Sequence, residues 1–144
     1  SNEFLKNLFF TQFNKKFKPN RTKVDWISSD ENQVDLFEAD PLRIEDFSLS
    51  VFLDLLKASK KVNQVSTFKS TPKNLPLFIF SGDKDPVGEM GKGVEKVTNK
   101  YQKAGINDIT LKLYKGGRHE MLNEVNKNEV EQDVINWLSE KIKA

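Results

Sequence analysis

The sequence contains no cysteine. That excludes disulfides, zinc–thiolate sites and a cysteine nucleophile, and it leaves a reducing cytoplasm compatible with the chain. Long hydrophobic runs are missing too: no apolar stretch exceeds a few residues, against the roughly 20 needed to span a bilayer, so no transmembrane segment is expected. The N-terminus has no charged-then-apolar signal pattern. Net charge is small, formally +2, too weak a field to imply a nucleic-acid partner. Histidine occurs once, at His119, so any imidazole chemistry must pass through that residue.

What remains is an ordinary soluble composition, 37% hydrophobic and 31% charged over 144 residues, the size of one domain. Its skew is phenylalanine, 11 residues against two Trp and two Tyr, many of them in the first 60 positions. Phe4, Leu5, Leu8, Phe9, Phe13 and Phe17 recur at three- and four-residue intervals, which predicts an amphipathic helix ended by Pro19 and Asn20. "DWISSDENQVDLFEADPL" predicts a loop and a short helix, with Ser28, Ser29 or Asp30 able to cap its start and Pro41 ending it. Phe47, Val51, Phe52, Leu55 and Leu56 predict a third helix. Residues 62–74 are polar, contain Pro72 and hold no period, and so are expected to be a linker.

The pattern then changes. "LPLFIFSG", residues 75–82, is a continuous apolar run closed by glycine, the signature of a strand buried on both faces of a parallel sheet. Val87, Met90, Val94, Val97, Tyr101 and Ala104 follow at helical spacing until Gly105. In "DITLKLYKGG", Ile109, Leu111 and Leu113 alternate with Thr110, Lys112 and Tyr114, as in a strand near a sheet edge. Val130, Val134, Trp137, Leu138 and Ile142 mark a closing helix. The expectation is an α/β chain: a helical region 1–61, the linker 62–74, and a βαβα unit over 75–144 with parallel strands and a right-handed crossover.

In open parallel sheets, reactive groups collect beyond the carboxyl ends of the strands. The first strand ends in Gly82-Asp83-Lys84-Asp85 and the second in "KGGRHEML". Asp85 and His119 lie 34 residues apart, the span of one helix and one strand, so the topology places both turns on one rim. A carboxylate that accepts a hydrogen bond from imidazole fixes its tautomer and supports its protonated form. Against this stands the plain alternative that an Asp after Gly satisfies turn backbone and that a lone His is incidental.

"PLFIFSGDKDPVG", followed by "LYKGGRHEMLNE" and the "VINWL" helix, resembles the C-terminal half of α/β-hydrolases of the monoacylglycerol lipase and lysophospholipase type, the serine aminopeptidase-like group. "FNKKFKPNRTKVDWISSDENQVDLFEADPL" resembles the helical cap, or lid, of such proteins. The resemblance covers essentially the whole chain and implies a partial α/β-hydrolase fold, a cap followed by the βαβα unit. It implies that Asp85 is the triad acid and His119 the triad base, with Asp83 at a variable position where a turn-stabilising role is expected. It also implies a lipid-like ester as substrate, no cofactor, and a Phe-rich cap that either lines an acyl pocket or forms a plain core.

The G-x-S-x-G elbow that carries the nucleophile of this family does not occur: no serine has glycine two positions before it. The chain is therefore expected to be the C-terminal half of a longer hydrolase, a remnant or one part of a split chain, inactive alone. Two strands would leave the apolar edge of residues 75–81 open, so association with the N-terminal half or with another copy is expected. Two other readings stay open: a non-catalytic interaction or lipid-binding module, and a haloacid-dehalogenase-like phosphatase, whose D-x-D-x-[TV] turn "DKDPV" matches superficially with Asp83 as the phosphorylated residue and Mg²⁺ nearby.

Overall fold

The computed structural model describes residues 11–43 and 48–143. Phe4, Leu5, Leu8, Phe9 and Phe47, which carry part of the first and third helical patterns, lie outside them. The C-terminal half is a βαβα unit: β1 (Leu77–Gly82), a helix Lys92–Lys103, β2 (Ile109–Tyr114) and a helix Lys127–Lys143. The two strands pair in parallel, Leu77 opposite Ile109 through Gly82 opposite Tyr114. Among the described residues, 11–14 are helical, and three further α-helices precede β1: α1 (Glu31–Ala39), α2 (Leu49–Val62) and α3 (Val65–Ser70); those of the βαβα unit are therefore α4 and α5.

The register puts Phe78, Phe80, Thr110, Lys112 and Tyr114 on one face of the sheet. α5 covers that face. Phe78 stacks on Trp137 with ring centroids 5.6 Å apart, the Trp137 indole N–H donates to Thr110 Oγ1 at 3.2 Å, and the Tyr114 hydroxyl donates to Asp133 at 2.7 Å. Tyr114, Met121 and Val130 form a buried cluster with Phe80 against it. On β2 the Tyr114 face is thus the covered one: Leu111 is exposed, whereas Tyr114 is among the most buried side chains. Lys112 holds its ammonium 4.6 Å from the centre of the Tyr114 ring and pairs it with Glu129 and Asp133 on α5, so the nominally polar face can be covered. Residues 77–80 of β1 are half-buried rather than buried on both faces, because β2 is their sole strand partner among the described residues.

In the helical half, Asp30 caps α1 by accepting the backbone N–H groups of Asn32 and Gln33 at 3.0 and 3.4 Å. Trp26, Ile27 and Val34 are buried together, with Phe13, Phe17, Val24 and Phe37 packed around them. These three phenylalanines therefore serve a core rather than an open pocket. Asn14 pins the loop that follows: its amide donates to Thr22 C=O and accepts from Trp26 N–H. Segment 62–74 is not a plain linker. It contains α3, held by the buried Phe68, which meets Tyr101 of α4 edge-on at 4.9 Å. One aromatic residue anchors a single helical turn and a half without generating any period, which is why the sequence pattern misses it. Among the described residues no helix is long and apolar enough to cross a membrane.

Candidate active site

Gly82 closes β1 at the point where the two strand-end turns touch. A Cβ there would sit 2.0 Å from the carbonyl oxygen of Gly117, so only glycine permits the approach. Across that contact Lys84 N–H donates to Gly117 C=O at 2.9 Å and Asp83 N–H to Tyr114 C=O at 3.0 Å. The Asp83 carboxylate accepts Gly116 N–H at 2.8 Å, while Gly116 itself adopts φ +80°, a left-handed conformation that completes the second turn. Asp83 is thus bonded as a turn residue, joining the loop after β1 to the loop after β2.

The stitched turns bring Asp85 and His119 together. Asp85 is buried, and its Oδ1 accepts Val87 N–H at 2.9 Å and lies 3.1 Å from His119 Nδ1. Ser81 Oγ stands 3.5 Å from the other oxygen, Oδ2. With Nδ1–H donated to Asp85, Nε2 is the imidazole atom left to take a proton. His119 keeps 37% of its side chain exposed. Its pKa is raised above the ordinary histidine value, first by the hydrogen bond to Asp85 and then by the negative charges of Asp85 and Glu120, which together outweigh the opposing effect of burial.

Trp26, from the helical half, stands against the imidazole with ring centroids 5.1 Å apart. A cavity of about 950 Å³ opens beside the pair, lined by Ile79 and Ser81 of β1, Val87, Val94 of α4, and Leu122. The helix expected to begin near Val87 begins at Lys92 instead. Residues 86–91 form a turn in which Glu89, Met90 and Gly91 all have positive φ and Met90 N–H donates to Asp85 C=O at 2.8 Å, so the backbone on both sides of Asp85 is bonded.

The two aspartates serve different partners, one backbone and one imidazole, and among the described residues no group of three His, Asp or Glu side chains is placed to hold a metal ion. That arrangement does not support the phosphatase alternative. Trp26, Ser81 and Glu124 were not singled out from sequence as site residues. Glu124 closes the quoted "RHEMLNE", five residues after His119, but a buried glutamate leaves no periodic signal.

The family described as serine aminopeptidase, S33, matches residues 3–126. A highly thermostable carboxyl esterase from Bacillus coagulans, solved in complex with glycerol, is 25% identical and superposes with a TM-score of 0.87 over 96% of this chain and 45% of the esterase. A lipase in its open form is 24% identical, with a TM-score of 0.87 over 97% of this chain and 46% of the lipase, and shares the fold. The chain thus spans less than half the length of either. With a match across most of its residues and a partial α/β-hydrolase fold, the chain belongs to the serine aminopeptidase family of α/β-hydrolases.

Proposed function

We propose that this chain is the C-terminal part of a serine hydrolase acting on carboxylic esters, and that it supplies the acid and base of the catalytic triad, Asp85 and His119, to a nucleophile held elsewhere. The observation that carries the reading is the pair itself: a buried carboxylate bonded to Nδ1 of the sole histidine, on the carboxyl rim of two parallel strands. In the complete site a serine Oγ attacks the acyl carbonyl while His119 Nε2 takes the hydroxyl proton. The same proton passes to the departing alkoxide, leaving an acyl-enzyme. Water then repeats the sequence, giving its proton to His119 and returning the serine. Asp85 does not take the proton; it orients the ring and stabilises the imidazolium.

A lipid-like acyl group suits the apolar walls of the cavity and the aliphatic surface of α2, on which Leu49, Leu53, Leu55 and Leu56 are exposed. That surface also favours a second reading, an interaction or lipid-binding module without chemistry. Mixing the chain with an N-terminal hydrolase half that bears G-x-S-x-G separates the two. A split hydrolase regains hydrolysis of a p-nitrophenyl ester and loses it again with His119→Ala. A binding module associates without turnover, and that outcome would overturn the hydrolase reading.

A further inference from the structure

Residues 25–29 of the helical half run alongside residues 118–124, the loop that carries His119. Arg118 reaches back to the carbonyls of Asp25 and Ser28, and its guanidinium lies over the Phe17 ring, 4.3 Å from the centroid. Glu120 N–H donates to Ile27 C=O at 2.7 Å, and Ser28 Oγ donates to Asn123 C=O at 2.7 Å. His119 sits inside this ladder, between Arg118 and Glu120, with Trp26 of the facing segment against its ring.

The ladder closes on one carboxylate. Glu124 is 1% exposed, and no lysine or arginine side chain forms an ion pair with it among the described residues. Its Oε1 accepts Arg118 N–H at 2.7 Å and Ser29 N–H at 3.0 Å; its Oε2 accepts the Ser29 hydroxyl and Val125 N–H. A buried carboxylate is costly unless its lone pairs are filled, and here the donors come from both segments. The charge is therefore satisfied only while the two segments are docked.

We infer that Glu124 is a positioning residue: its buried carboxylate locks residues 25–29 to the 118–124 loop and so fixes where the His119 imidazole stands against Asp85 and Trp26. Segment 25–29 and the histidine loop then move as one body, and a displacement of one displaces the other. The catalytic consequence rests on the ester-hydrolase reading, but the positioning itself does not.

Because His119 is the only histidine, its imidazole signals can be followed by NMR in the 144-residue chain without ambiguity. Glu124→Gln keeps the volume but replaces an oxygen that accepts two hydrogen bonds with an NH₂ that accepts none; Ser29→Ala removes the hydroxyl donor from the other side. Both variants are expected to weaken the downfield Nδ1–H resonance of the bond to Asp85 and to move the His119 titration midpoint back toward about 6.5, Glu124→Gln the more strongly. Ile106→Val, a buried truncation just before β2 at the end remote from the site, is expected to lower the melting temperature without moving that midpoint. If Glu124→Gln does not fold, the Ser29→Ala shift alone carries the test. A His119 titration and Nδ1–H signal unchanged in every folded variant of Glu124 and Ser29 would overturn the inference. In protein reassembled with the nucleophile half, the variants are expected to lower kcat more than they raise KM. Shifted histidine signals in a mixture that never hydrolyses ester would uphold the positioning and sink the hydrolase reading instead.

Discussion

At the scale of single residues, Gly82, Asp85 and His119 hold the two strand-end turns together. Gly82→Ala places a methyl group 2.0 Å from the Gly117 carbonyl oxygen, with backbone on both sides and no flexible side chain to yield. It is expected to cost about 3 kcal/mol or more and to separate the two turns, measurable as a lower denaturation midpoint together with loss of the His119–Asp85 resonance. The raised pKa of His119 has a definite sign. The protonated ring is favoured in the folded state, so the stabilisation is fully present below the unfolded value of about 6.5 and is lost as pH rises through the higher folded value. The stability difference between the parent and His119→Ala is therefore expected to be larger at about pH 5 than at about pH 9, by thermal unfolding. In the reassembled hydrolase that we propose, turnover would run the opposite way, because the base must be neutral: the acidic limb of the rate profile is expected above about pH 6.5. The meeting of Asp85 with His119 was legible from sequence, since a strand end and a helix length fix which turns share a rim. Glu124 was not, because its role depends on a partner segment 95 positions away.

At the scale of elements, the caps and anchors carry separate predictions. Asp30→Ala removes the acceptor for two N–H groups at the start of α1 and is expected to cost about 1 kcal/mol in chemical denaturation. Phe68→Ala is expected to cost about 3 kcal/mol, because the ring is buried against Tyr101; an effect near zero would mean that residues 65–70 are the linker their polarity suggests. The helical and strand patterns were readable where apolar residues repeat, as in α5, whose Val130 is fully buried. They misled where one residue substitutes for a period, as Phe68 does, and were silent where a polar side chain covers an aromatic ring, as Lys112 does over Tyr114. The delayed start of α4 has the same character: positive φ at Glu89 and Met90 reflects the bonding around Asp85, which no local propensity encodes.

At the scale of the whole molecule, apolar surface and one sheet edge are left open among the described residues. β1 pairs on one side only among the described residues, and Val87, Leu111, Leu138 and Ile142 lie exposed, as expected for a sheet and helices that continue against further strands. The chain is expected to sediment as an assembly or to bind a nucleophile-bearing half, and a compact monomer that ignores such a half would count against this. The most direct test of the central claim is ester turnover by the reassembled protein with Asp85→Asn. That substitution keeps the shape of the side chain but lets it donate to His119 and hold the wrong tautomer. The account predicts a fall in kcat of about 10⁴ with folding intact; turnover within about tenfold of the parent, a difference of roughly 1.4 kcal/mol, would contradict it.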